Sequence, residues 1–202
     1  MRLILASASP RRRELLTAAG IPFTAQSTDI PENPTSGEEP RAFAERLARE
    51  KASVIAAGNP EDAVLGADTI VVVDGLILGK PADASDAERM LRLLSGRTHE
   101  VITAVCVIEP KAAPGQTRHI EAGVALSNPD VRSESTQVTF NPLSEQEIEY
   151  YVSTGEPMDK AGAYGIQGIA SRWIPRVEGD YSNVVGLPIA LVYRMLREHR
   201  LL

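Results

Sequence analysis

The hydrophobic and polar positions along this chain fall into two alternating patterns. Unbroken apolar runs predict a strand at 2–6, a hairpin over 64–81, a strand at 99–109 and further strands within 119–126 and 134–140. Apolar positions at helical spacing predict helices over 10–20, 41–57, 85–94, 144–155 and 188–199. Two capping boxes mark helix starts, Ser85 with Glu88 and Ser144 with Glu147. Strands that alternate with helices in this way indicate an α/β fold with a mixed sheet.

The hairpin brings a carboxylate and a lysine to the same end. Asp74-Gly75 lies between two apolar runs and is a strong signal for a two-residue turn. Thr69 then falls opposite Lys80, and Asp68 emerges beside that pair. A carboxylate for metal or water and a lysine for phosphate are what phosphoryl chemistry requires. The structural alternative is that Asp68 caps a turn that begins at Gly66.

The helix predicted over 41–57 has a lysine within its apolar face. That face is formed by Phe43, Leu47, Val54 and Ile55. On a helical wheel Lys51 lies between Leu47 and Ile55, inside the apolar stripe. The lysine either extends along the stripe to place its ammonium in water, or the helix directs a cation into a cleft.

The composition indicates a globular protein that acts on a small anionic ligand. The chain has 202 residues, of which 43% are hydrophobic and 24% charged, with a net charge of −6. Such an acidic balance argues against a general nucleic-acid binder. The single cysteine, Cys106, excludes an intrachain disulfide and favours a reducing cytoplasm. The N-terminal apolar run is too short for a signal peptide, and no run has the length of a membrane span.

The opening sequence MRLILASASPRRREL places three arginines in the first turn of a predicted helix. Ser9 suits the N-cap position, Pro10 the first helical position and Gly20 the C-terminal stop. Cations are disfavoured at a helix N-terminus, because the helix dipole is positive there. Arg11, Arg12 and Arg13 therefore need a compensating anion, and a bound phosphate would supply it.

Other polar residues give weaker signals. Glu32 lies in the acidic, proline-rich segment 28–40 and is a plausible second carboxylate for a metal, although most such glutamates are only solvated. The histidines at 99, 119 and 199 lack metal-ligand spacing and are interpreted as structural. The chain has no P-loop motif and no dinucleotide-binding motif that opens a helix. The segment DKAGAYGIQG, 159–168, predicts a loop shaped by glycine, where a ligand approaches closely.

Taken together, these segments resemble the Maf family of nucleoside triphosphate pyrophosphatases. The resemblance covers nearly the whole chain and rests on motifs in the family's order: LASASPRRREL, REKA, LGADTIVVVDGLILGKP, GRTHEVITAV, GEPMDKAGAYGIQG and VEGDYSNVVGLP. The last two motifs are similar to the branch that hydrolyses dTTP and UTP, rather than the branch that acts on 7-methyl-GTP.

The resemblance implies a single Maf-like domain over 1–202, with an elongated mixed β-sheet, flanking helices and two lobes around a central cleft. The inosine-triphosphate pyrophosphatases share that architecture. The resemblance to the Maf family also implies hydrolysis of dTTP, UTP and modified pyrimidine nucleotides to monophosphate and pyrophosphate, with Mg²⁺, Mn²⁺ or Co²⁺ as cofactor. A homodimer and a role in sanitising the nucleotide pool, linked to arrest of cell division, are also implied.

The resemblance also assigns roles to individual residues. Asp68 matches the catalytic proton acceptor and, with Glu32, the metal ligands. The positions that match phosphate-binding residues are Ser9, Arg12, Lys51 and Lys80. The positions that match residues for substrate choice are Arg12, Thr69 and Gln167. Arg13 falls where the family varies and receives no role.

Two further classes of function remain open at this point. The family's name comes from a proposed link with septum formation, so a non-catalytic regulator of cell division is one alternative. A nucleic-acid-binding module that uses Arg11–Arg13 is the other, and a flat salt dependence of oligonucleotide binding would exclude it. Metal-dependent turnover by the purified protein distinguishes an enzyme from both.

Overall fold

The structure is a computed structural model that describes residues 2–110 and 129–202. The α-helices and strands follow in the order β1 (Leu3–Ala6), α1 (Pro10–Ala18), β2 (Thr24–Gln26), α2 (Pro40–Gly58), β3 (Ala63–Val73), β4 (Leu76–Leu78), α3 (Ala84–Leu94), β5 (Thr98–Ile108), β6 (Asp130–Thr139), α4 (Glu145–Ser153), β7 (Arg176–Glu178), α5 (Tyr181–Val185) and α6 (Ile189–Glu198). Short 3₁₀ helices at Glu156–Asp159, Ala161–Ala163 and Ile169–Trp173 lie between α4 and β7. The strand predicted within 119–126 lies outside the described residues. The strand predicted at 134–140 is the second half of β6.

The strands form one mixed sheet, as the sequence predicts. Within the described residues its order is β2-β1-β3-β5-β6-β7, and β4 pairs with β3. β1 runs parallel to β2 and to β3, whereas the β3–β4 and β6–β7 pairs are antiparallel. No helix in the described part of the chain is long and apolar enough to cross a membrane. The α/β fold with a mixed sheet and flanking helices is thus confirmed.

The chain divides into two compact units. The first comprises the described parts of Met1–Asp68, Ala104–Ser133 and Ile189–Leu202, and the second comprises Thr69–Thr103 and Glu134–Pro188. One division falls inside β3, between Asp68 and Thr69.

In the first unit, the long helix α2 buries one side of its surface. Its buried residues are Phe43, Ala44, Leu47, Ala48, Lys51, Ala52 and Ile55. Val54 was predicted to belong to this face, but 53% of its surface is exposed. The prediction is wrong because the buried stripe moves around the helix toward Ala52 and Ile55 in its last turns, which leaves Val54 outside it.

Gly66 allows α2 to pack directly against β3. A Cβ atom at Gly66 would lie 2.3 Å from the carbonyl oxygen of Ala48 and 2.9 Å from the backbone nitrogen of Ala52. Gly66 and Asp68 both lie within β3, so the predicted turn at this point is wrong. The glycine serves the close approach of two backbones.

We expect Gly66→Ala to destabilise the protein by about 3 kcal/mol, the upper end of typical overpacking penalties, because backbone atoms cannot move aside as a side chain can. Urea unfolding measures this change. Gly58→Ala is the matched control, since a Cβ atom there has no neighbour within 4 Å. Equal stabilities of the two variants would contradict the packing argument.

In the second unit, the predicted hairpin is confirmed and one predicted cap is not. Val73 pairs with Leu76 across a turn in which Asp74 and Gly75 have φ angles of 50° and 76°. The capping box of Ser144 and Glu147 begins α4 as predicted. The predicted capping box of Ser85 and Glu88 is wrong, because α3 begins at Ala84 and its cap is the side chain of Asp83, which accepts a hydrogen bond from the Asp86 N–H at 2.8 Å.

The described histidines and the cysteine have structural surroundings. His99 is buried against Phe140 and Tyr164, and burial lowers its pKa to about 4. His199 lies between the carboxylates of Glu109 and Asp130. Cys106 is buried, which raises the pKa of its thiol to about 12. His119 lies outside the described residues.

Candidate active site

Lys51 forms the centre of a charged group in the first unit, in which Lys51 and Asp68 are buried. Its Nζ donates to Glu32 Oε1 at 2.5 Å and to Asp68 Oδ1 at 2.6 Å. Only 10% of the Lys51 side chain and 8% of the Asp68 side chain are exposed, whereas Glu32 is 37% exposed. The alternative in which the lysine places its ammonium in water is therefore wrong. The helix directs this cation at two carboxylates.

The packing of α2 on β3 explains why Lys51 meets Asp68. Successive side chains of a strand point to opposite faces, so Asp68 lies on the same face as Gly66, two residues earlier. That face packs against Ala48 and Ala52 of α2. Lys51 lies on the same buried side of the helix. The close approach at Gly66 thus brings the ammonium within hydrogen-bond distance of the carboxylate.

Arg12 joins this group from α1. Its Nη1 donates to the backbone oxygen of Ala67 at 2.9 Å and to Ser7 Oγ at 3.1 Å. Ser9 occupies the N-cap position as predicted, but its side chain makes no capping hydrogen bond. Its N–H donates instead to Ser7 Oγ at 3.2 Å. Ser7 is buried and was not predicted as a site residue, although its neighbour Ser9 was.

Burial and charge act against each other at Asp68 and Arg12. Burial raises the pKa of Asp68, while the positive charges of Lys51 and Arg12 act in the opposite direction. Burial lowers the pKa of Arg12, against the negative charges of Asp68 and Glu32. A carboxylate with a raised pKa is a better proton acceptor than an ordinary aspartate. Asp68 and Glu32 thus supply part of the negative charge that the arginine cluster of α1 requires. The phosphate expected beside that cluster stays a prediction.

Asp68 and Glu32 fit a hard divalent cation. Both carboxylates already converge on one positive group, the Lys51 ammonium. Mg²⁺ typically binds one or two carboxylates and completes its shell with water and substrate phosphates. Among the described residues, no group of three or more histidine, cysteine, aspartate or glutamate side chains could hold a metal. A metal held by Asp68 and Glu32 would therefore take its other ligands from water and substrate.

In the second unit, a buried network determines the hydrogen-bonding direction of Thr69. Thr103 Oγ1 donates to the backbone oxygen of Asn183 at 2.8 Å, and Asn183 is fully buried. With its only hydrogen used there, Thr103 accepts from Thr69 Oγ1 at 2.9 Å. Thr69 Oγ1 also lies 3.4 Å from the carbonyl oxygen of Gly186, which only accepts. The single hydrogen of Thr69 Oγ1 is directed at one of these two acceptors, so its oxygen is oriented to accept from a ligand.

The other two predicted site residues of the second unit are exposed. The paired register of the hairpin ends at Val71 and Leu78, so Lys80 lies beyond the last pair of β4. Gln167 lies in the glycine-rich segment that the sequence predicts as a loop. Of the predicted site residues, the structure brings Arg12, Glu32, Lys51 and Asp68 into one group.

Comparisons with known proteins place the chain in the same family as its sequence motifs do. The family described as Maf-like protein matches residues 2–199. A dTTP/UTP pyrophosphatase of Koribacter versatilis is 55% identical over 197 residues, which are 98% of this chain and 94% of the relative. Proteins of the same name from Syntrophomonas wolfei and Geobacter sulfurreducens are each 50% identical, over 95% and 97% of this chain and over 94% and 95% of their own lengths.

Among solved structures, the Staphylococcus aureus Ham1 protein aligns with 86% of this chain and 80% of its own, with a TM-score of 0.48 and 13% identity. That alignment is too distant to support a conclusion. The family match and the three relatives span nearly the whole chain. The chain therefore belongs to the Maf family, as its sequence motifs predict.

Proposed function

We propose that this protein is a nucleoside triphosphate pyrophosphatase that hydrolyses dTTP and UTP to the monophosphate and pyrophosphate. The observation that carries the proposal is the charged group in which buried Lys51 joins buried Asp68 and the more exposed Glu32, with Arg12 beside them. Two cations and two carboxylates provide a proton acceptor and positive charge for a triphosphate. Relatives that are 50–55% identical carry the name dTTP/UTP pyrophosphatase, which supports the same activity.

In the proposed reaction, Asp68 accepts a proton from water as the water oxygen attacks the α-phosphorus. The bond from the α-phosphorus to the bridging oxygen breaks, and pyrophosphate leaves with the electron pair. Arg12 and Lys51 hold phosphate oxygens and stabilise the negative charge that develops on the leaving group. Ser9 and Lys80 match further phosphate-binding positions. A divalent cation held by Asp68 and Glu32 would add charge neutralisation at the phosphates.

Thr69 and Gln167 are proposed to select the base. The Thr69 hydroxyl acts as an acceptor, which suits the N3–H donor of uracil and thymine. The exposed Gln167 amide offers one acceptor and two donors, which suits the alternating edge of the same bases. A site built on such hydrogen bonds rejects bases that leave its polar groups unpaired.

The purified protein should cleave dTTP and UTP with Mg²⁺, Mn²⁺ or Co²⁺, with kcat/KM at least about tenfold above that for ATP or GTP. The products should be monophosphate and pyrophosphate, separated by anion-exchange chromatography. In ¹⁸O-labelled water the label should enter the monophosphate. Label found only in pyrophosphate would place the attack at the β-phosphorus. Absence of turnover with every nucleotide and metal would instead favour the non-catalytic regulator.

Two further proposals concern the protein's setting. We place the reaction in the cytoplasm, since the only cysteine of the chain is buried and no intrachain disulfide is possible. A homodimer is proposed from the family resemblance alone.

A further inference from the structure

We infer that Glu156 is a positioning residue that holds the Gln167 loop in the shape required to select the base. We define this loop as residues 165–169. The inference rests on the proposed function, in which Gln167 contacts the base. It adds a role for the GEPMDKAG part of the sequence, which the proposed reaction leaves without one.

A chain of hydrogen bonds fastens both ends of the Gln167 loop. At one end, the Gly165 N–H donates to the hydroxyl oxygen of Tyr151 at 3.2 Å, and that hydroxyl donates to Glu156 Oε1 at 3.0 Å. At the other end, the Ile169 N–H donates to Glu156 Oε1 at 3.2 Å and to Oε2 at 3.3 Å. Gln167 lies midway between these two fixed points. The Glu156 carboxylate is therefore the shared acceptor for both ends.

Close packing in the second unit supports the same role. A Cβ atom at Gly168 would lie 2.1 Å from Glu156 Oε1, and one at Gly165 would lie 2.7 Å from Lys160 Cε. A side chain at position 168 would push the Glu156 carboxylate away from the loop. Lys160 in turn donates to the backbone oxygen of Glu156 at 2.5 Å. The glycines on either side of Gln167 are thus explained by contact with Glu156 and Lys160.

The physical effect of this arrangement is preorganisation. A fixed loop presents the Gln167 amide in one orientation, so binding of a base does not have to order it. A loosened loop lets the amide adopt several orientations, some of which suit a wrong base. Loss of Glu156 should therefore change base selection through KM, whereas proton transfer at Asp68 should continue.

The test measures kcat and KM for UTP, dTTP and GTP in Glu156→Gln and in Tyr151→Phe. Glutamine keeps the size of Glu156 but removes one acceptor, and phenylalanine removes the hydroxyl link. We expect the kcat/KM ratio of UTP to GTP to fall about tenfold in each, the effect of one lost hydrogen bond to a charged group. The change should appear in KM, with kcat for UTP within about twofold of wild type. Tyr150→Phe is the matched control, since Tyr150 is 53% exposed and adjacent in sequence.

A double-mutant cycle with Gln167 separates positioning from simple destabilisation. If Glu156 acts through Gln167, then Glu156→Gln should not change the UTP-to-GTP ratio further in a Gln167→Ala background. Independent, multiplicative effects would overturn the inference, and so would an unchanged ratio in both single variants. A wild-type protein without any turnover would instead overturn the proposed function. The two failures are distinguishable, because one is seen in the wild type and the other only in the variants.

Discussion

Asp68→Asn should lower turnover of UTP and dTTP by about a hundredfold or more, the range expected when a general base is lost. Asparagine keeps the shape of the side chain, and its Oδ1 can still accept from Lys51, but it cannot take a proton from water. Lys51 keeps its contact with the Glu32 carboxylate at 2.5 Å in this variant, so the free energy of unfolding should fall by less than in Lys51→Met. Steady-state kinetics and thermal unfolding of the same sample measure both effects.

The pH profile gives an independent check on this assignment. Because burial raises the pKa of Asp68, the acid limb of kcat/KM should lie above the pH at which an ordinary aspartate titrates. That limb should be missing from the residual activity of Asp68→Asn. Asp74→Asn is a control on the same hairpin, since Asp74 lies at its exposed turn. A folded Asp68→Asn variant with near-normal turnover would show that another group accepts the proton.

Local sequence signals predicted the parts of the fold that depend on neighbouring residues. The hairpin turn at Asp74-Gly75 requires positive φ angles, which this residue pair tolerates, and the structure has them. The capping box of Ser144 with Glu147 is equally local and is confirmed. The box at Ser85 failed because Asp83, two residues earlier, competes for the same helix end. A sequence pattern alone does not decide between two adjacent caps.

Contacts between distant segments were predictable only in part. The helical wheel identified Lys51 as a charge within an apolar face, and the structure buries it. Its two carboxylate partners are 17 and 19 residues away, so the spacing on the wheel did not reveal them. The alternative of a turn at Gly66 is wrong, because glycine also marks close backbone approach, which depends on the distant helix α2. Ser7 accepts from Arg12 because it is buried beside that side chain, a contact that its place in the sequence does not reveal.

Lys51→Met should cause the second large effect, a loss of both activity and stability. The ammonium neutralises Asp68 and Glu32 at 2.6 and 2.5 Å, so its removal leaves two carboxylates close together, one of them buried. Removal of one partner of a buried ion pair destabilises proteins by about 3 kcal/mol or more. For a chain of this size that corresponds to a fall in Tm of roughly 6–12 °C. Turnover should fall at least about a hundredfold, because charge stabilisation at the leaving group is lost.

The pH dependence and a double variant show whether the ion pair is the cause. The pKa of Asp68 is raised already and should rise further without Lys51. The loss of unfolding free energy in Lys51→Met should therefore be small in acid, where Asp68 is protonated in both proteins. It should grow as the pH rises above the wild-type pKa of Asp68. The double variant Lys51→Met/Asp68→Asn removes the buried carboxylate together with its ammonium partner and should recover most of the lost stability, but no activity. A single Lys51→Met variant that is fully active would exclude Lys51 from phosphate binding. If the double variant is no more stable than Lys51→Met, the loss comes from packing of the lysine stem along α2 and not from its charge.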